Sequence, residues 1–120
     1  MKLSTLACAL ICMNALALRP VAGEEAKPQQ LKCDIGPVNK TYGKTQWLVY
    51  SCDDSRTVVV VTAPGNPALP FYFMFAPQAG GYQLSGEGTG QKDATDAALH
   101  ELQALSAADI MALIEQTKPK

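Results

Sequence analysis

The stretch from Trp47 to Thr62 constrains the fold most. Trp47-Leu48-Val49-Tyr50-Ser51-Cys52 is followed by Asp53-Asp54-Ser55 and then by Arg56-Thr57-Val58-Val59-Val60-Val61-Thr62. Two runs rich in aromatic and β-branched residues flank a short polar turn, which predicts a β-hairpin. Aspartate and serine bond their own backbone and so favour the turn. In the first run, Leu48, Tyr50 and Cys52 share one face, and Trp47, Val49 and Ser51 share the other. Both faces are largely apolar, so the strand belongs inside a sheet. Four consecutive valines cannot all face one side. The second run is therefore expected to be covered on both faces, or nearly so, because an exposed run of this kind promotes aggregation.

Periodicity orders the remaining chain. Leu31 to Ile35 alternates apolar and polar residues and reads as a short strand closed by Gly36-Pro37, with Val38 to Lys44 as a loop. Ala63 to Pro70, with three prolines, is a loop. Phe71-Tyr72-Phe73-Met74-Phe75 reads as a strand with the three phenylalanines on one face and Tyr72 and Met74 on the other. Pro77 to Gly81 is turn material, Tyr82 to Ser85 a short last strand, and Gly86 to Gly90 a flexible linker.

The period then changes to about 3.6 residues. Asp93 is the expected N-cap of a first helix whose stripe is Ala94, Ala98, Leu102 and Leu105. Ser106 with Asp109 forms a capping-box pattern, and Leu105 with Ile110 a hydrophobic staple. Ala107, Ile110, Met111 and Ile114 give the second helix its apolar face, and Pro119 ends it. Layer logic then predicts an α+β fold, an antiparallel β-meander of four to five strands followed by two C-terminal helices packed on one face as a two-layer sandwich.

Compartment follows from the N-terminus and the cysteines. Met1-Lys2, an apolar run to Leu18, and Val21-Ala22-Gly23 before Glu24-Glu25 have the layout of a secretory signal peptide over residues 1–23. A membrane anchor needs about twenty apolar residues, whereas Asn14 interrupts this run and Arg19-Pro20 close it. Residues 24–30 form a polar leader, and residues 31–118 a single domain. Cleavage removes Cys8 and Cys12, leaving Cys33 and Cys52, which have one possible pairing. In a periplasmic or secreted chain that pairing is expected as a disulfide. It also removes Lys2 and Arg19, leaving eight bases against eleven acids. So mild an acidity gives no footprint for nucleic acid, and no integral membrane span is expected after cleavage.

No group of residues assembles convincing chemistry. His100 is the single histidine and has no ligand partners at metal spacing. Asp53-Asp54 sits at a wet hairpin tip, where a raised carboxylate pKa is not expected. Glu87 lies between two glycines and is expected to be solvated. Gly86 to Gly90 fits neither the Walker nor the dinucleotide pattern. Ser51, Ser55, Ser85 and Ser106 lack a histidine–acid pair. No catalytic, cofactor or metal site is expected. The candidate binding surface is the run Phe71, Tyr72, Phe73, Met74 and Phe75. Two helices cover one face of a sheet, so the other face is free for a partner or for a homodimer.

Tyr50-Ser51-Cys52-Asp53-Asp54-Ser55-Arg56-Thr57-Val58-Val59-Val60 is similar to the Tyr-x-Cys hairpin of periplasmic C-type lysozyme inhibitors. In that family the resemblance implies a β-barrel, a cysteine pair reaching the C-terminal end, and a Ser-Gly-x-x-Tyr loop. Here Cys33 is the available partner, the chain ends in helical pattern, and Leu84-Ser85-Gly86-Glu87-Gly88 has no tyrosine. The sequence is therefore compatible with three functions. The first is a small exported, non-enzymatic domain that binds a protein or envelope component through its sheet. The second is a small-ligand carrier or enzyme with an apolar pocket between sheet and helices, lined by Tyr72, Phe73 and Met74. The third, implied by the resemblance, is an inhibitor of a secreted hydrolase such as lysozyme.

Overall fold

The computed structural model describes residues 30–120. The expected signal peptide and nearly all of the leader lie outside the described residues. Five strands, β1 (Ile35–Tyr42), β2 (Thr45–Ser51), β3 (Val58–Thr62), β4 (Phe71–Gln78) and β5 (Gly81–Gly88), are followed by helices α1 (Lys92–Gln103) and α2 (Ala107–Thr117). The strands form one antiparallel sheet in sequence order. Both helices pack on one face of it, so the chain is the two-layer α+β meander that its periodicity implied.

The core lies between that face and the helices. Trp47 and Val49 of β2, Val58 and Val60 of β3, and Phe73 and Phe75 of β4 are buried there with Ala98, Leu102, Ile110, Leu113 and Ile114. The period of two puts every second residue of each strand inward. The Trp47 and Phe73 rings meet at 5.4 Å between centroids, and the Phe71 and Phe73 rings at 4.9 Å, within the range where tilted aromatic pairs attract.

Cys33 and Cys52 are joined in a disulfide. It closes a loop of 19 residues in sequence, which corresponds to about 3 kcal/mol in the chain-entropy account. Backbone bonds reinforce the same junction. The Asp53 N–H donates to the Lys32 carbonyl at 2.8 Å, and the Lys32 N–H donates to Asp53 Oδ1 at 3.3 Å.

Several boundaries differ from the sequence expectation, each for a local reason. Leu31 to Asp34 is not a strand, and β1 instead runs through the segment expected to be a loop. Gly36-Pro37 does not end it, because the register shift between Ile35 and Val38 absorbs the proline on an edge strand. Gly43 and Lys44, both at positive φ, then make the tight turn to β2. β3 begins at Val58, since Asp54 holds Arg56 and Thr57 in the turn. Pro77 lies within β4 opposite Tyr82, and β5 reaches Gly88 through three of the five residues of the expected linker.

The helices also depart in detail. Gln91, not Asp93, precedes α1, without a side-chain cap. Leu99 joins the partly buried residues against the core, and Thr95, Ala98 and Leu102 are buried. In α2 the capping box of Ser106 and Asp109 is present as read. Its buried face is Ile110, Leu113, Ile114 and Thr117, while Met111 is 46% exposed. The face has rotated away from Ala107 and Met111 because Thr117 is anchored to the sheet. Its hydroxyl lies 2.6 Å from that of Ser51.

Candidate binding surface

The side of the sheet away from the helices is built by the same alternation that builds the core. Cross-strand register aligns Leu48 with Val61, Val61 with Tyr72, and Tyr72 with Glu87. The next outward row aligns Tyr50, Val59, Met74 and Ser85. Leu48, Tyr50, Val59, Val61 and Met74 are half-buried, and Tyr72 is 37% exposed. None of these six belongs to the core cluster. Among the described residues, the valine run is therefore covered on one face only. Val58 and Val60 are fully buried, whereas Val59 and Val61 are screened by neighbouring strands and open to solvent above.

The five residues singled out on β4 divide accordingly. Phe73 and Phe75 are buried under the helices, and Phe71 is packed against that core. Tyr72 and Met74 stand on the open side. The run is thus half core and half surface, and the surface half is completed by Leu48, Tyr50, Val59 and Val61. Period-two alternation within the hairpin already placed Leu48 and Tyr50 on one face. What the sequence lacked was the register joining them to Tyr72 and Met74.

The open face is nearly free of charge. Its polar margin is Asn39, Thr41 and Gln46 on one side and Gln83, Ser85 and Glu87 on the other, by strand register. Glu87 is engaged, since the Tyr72 hydroxyl donates to its Oε1 at 3.1 Å. That bond and the carboxylate charge raise the Tyr72 pKa above 10.0. At one end of the face, Val61, Leu69, Pro70, Phe71 and Tyr72 surround a shallow hollow of about 480 Å³, with Leu69 52% exposed.

A second concavity lies on the helical side, between β5 and α1. It measures about 460 Å³ and is lined by Phe71, Phe73, Leu84 and Leu99, with Lys92 and Asp96 among its polar residues. Of the three residues expected in a pocket between sheet and helices, Phe73 is there. Tyr72 and Met74 lie on the opposite face.

The remaining candidates have identifiable surroundings. His100 is exposed on α1. Asp54 caps its own turn. Its Oδ1 accepts from the Arg56 and Thr57 N–H groups, each at 2.9 Å, and its Oδ2 accepts from the Thr57 hydroxyl at 2.7 Å. Burial alone would raise its pKa, but these bonds and the Arg56 charge outweigh that and hold it below 3.8. Ser51 is buried against Thr117, Ser55 sits at positive φ in the hairpin turn, Ser85 is exposed, and Ser106 caps α2. Among the described residues, no three His, Cys, Asp or Glu side chains gather where they could hold a metal ion. Nor is any single described helix long and apolar enough to cross a membrane.

These features define a small disulfide-closed α+β domain with one packed and one open sheet face. No family model, curated protein or solved structure matches the chain.

Proposed function

We propose that this chain is a small exported, non-enzymatic domain, periplasmic or secreted, that binds an apolar surface of another exported polypeptide through the open face of its sheet. The observation that carries this reading is the continuous uncharged patch of Leu48, Tyr50, Val59, Val61, Tyr72 and Met74. Contiguous apolar surface of this kind marks interaction sites, and tyrosine and methionine are enriched in them. The disulfide fits folding in an oxidising compartment. The test places a photo-crosslinking side chain at Met74 and, as a control, at the exposed Glu115 of α2. One dominant polypeptide adduct from position 74, lost on adding Val61→Lys, is the expected result. Equal labelling from both positions, or none from position 74, overturns the reading.

The crevice between β5 and α1 favours a second reading, a carrier of small apolar ligands. Phe71, Phe73, Leu84 and Leu99 share its lining with Lys92, Thr95, Asp96 and Gln103, and it is open along one side, whereas ligand sites bury most of their ligand. Saturable binding of a fluorescent fatty acid, abolished by Leu99→Trp, would favour the carrier over the docking surface.

A further inference from the structure

The two edges of the sheet are unlike. β1 carries a register break, a proline without an N–H, and Lys40, all devices that discourage a further strand. β5 carries none of them. From Gly81 to Gly88 it holds eight consecutive pairs with β4, with no break and no proline or lysine. Its single charge is Glu87. Alternate N–H and C=O groups along its outer side have no strand partner among the described residues. A long, regular, unprotected edge presents the hydrogen-bond groups that an added strand would satisfy.

From these features we infer that β5 pairs antiparallel with β5 of a second copy, centred on Leu84. Side-chain parity selects the register. Residues directly opposite in a sheet lie on the same face, so both helix layers share one side only if a residue, not a peptide bond, sits at the centre. Centring on Leu84 places it against its own counterpart and sets Tyr82 opposite Gly86, Gln83 opposite Ser85, and Gly81 opposite Glu87. Two half-buried leucines then cover each other. The half-exposed Tyr82 borders Gly86, where a Cβ would lie 2.8 Å from the Phe71 ring and 2.9 Å from the Phe73 ring. Those rings hold the space a side chain would fill; Phe73 is already buried, so the neighbouring Tyr82 adds cover to the half-buried Phe71. Glu87, the single charge of the strand, faces Gly81, so no acid lies directly opposite an acid across the pairing. A second copy fits this edge through its own sequence, and the proposal does not rest on the open-face reading.

The test uses the disulfide-bonded protein and two doubly substituted forms, Gln83→Lys with Ser85→Lys, and Gln83→Glu with Ser85→Glu. Both positions are exposed. In the proposed register residue 83 meets residue 85 of the other copy, so each form sets like charges directly opposite. Sedimentation should give a dimer for the unmodified protein, a monomer for each variant alone, and a dimer again when the variants are mixed in equal amounts. Amide exchange along β5 should also slow with rising concentration in the unmodified protein, a readout that needs no variant to fold. An unmodified protein that stays monomeric at high micromolar concentration overturns the inference and leaves β5 to a strand from a different chain. A dimer that survives in both variants also overturns it and moves the contact elsewhere, to the open face for example.

Discussion

Ser51 and Thr117 show how a pair of hydroxyls can fix the seat of a helix. Both are buried, and the Thr117 hydroxyl donates to the Ile114 carbonyl at 2.6 Å. Its proton is therefore committed, and Ser51 is the donor in the bond between the two oxygens. Thr117→Val leaves the Ser51 hydroxyl buried without an acceptor, which costs about 1–3 kcal/mol. Adding Ser51→Ala removes the stranded donor, so the double variant should be less destabilised than the two single losses summed. Urea unfolding of the four proteins checks this. Asp54 gives a second prediction at the same scale. Its folded pKa is depressed by the Thr57 and Arg56 bonds against the opposing effect of burial. Its contribution is therefore complete above the ordinary aspartate value of 3.8 and disappears as pH falls through the lower folded value. Asp54→Asn should remove that part of the acid sensitivity, so the gap in melting temperature between the two proteins should be constant near neutrality and narrow in strong acid.

Elements were legible in the sequence where local chemistry specifies them. Ser106 and Asp109 satisfy each other's backbone N–H groups, at 3.1 Å and 2.9 Å, and such a box depends on neither the sheet nor the rest of the core. Measured by thermal unfolding, Ser106→Ala should cost about 1 kcal/mol. Asp109→Ala added to it should cost a further amount of similar order, because the Asp109 carboxylate bonds the residue-106 backbone N–H that alanine retains. The buried face of α2 was less legible. Stripes through Met111 and through Leu113 differ by a modest rotation, and the anchor that selects between them is a serine distant in sequence. β5 was hidden for a related reason. Its glycines resemble a linker, yet Gly86 lies beneath two phenylalanine rings and Gly88 packs on Pro70 and Phe71. A glycine needed for close approach looks no different in sequence from one needed for flexibility. The candidate site was half legible. Alternation separated Tyr72 and Met74 from the phenylalanines, but only the register joined them to Leu48, Tyr50, Val59 and Val61.

At the scale of the molecule, the sheet has two apolar faces, and the helices among the described residues cover one of them. The disulfide and the core stabilise the packed side. The open side retains its leucine, valines, tyrosines and methionine without any of that cover. Adjacent residues of β4 therefore carry different loads. Phe73 is 2% exposed and touches both the Trp47 and Phe71 rings, so Phe73→Ala should cost about 3–5 kcal/mol. Tyr72 is 37% exposed and bonds only to an exposed carboxylate. Tyr72→Ala should stay within about 1 kcal/mol of the unmodified protein, since it leaves neither a cavity nor a buried unpaired group. If the open face is the docking surface, the Tyr72 variant should melt almost normally yet lose the crosslinked adduct obtained from position 74. Phe73→Leu, which keeps the core apolar, should lose stability and retain the adduct in whatever fraction remains folded. The two variants thus separate folding from binding within consecutive residues. A Tyr72 variant that keeps the adduct, or that unfolds like Phe73→Ala, removes the distinction between the two faces on which the docking proposal stands.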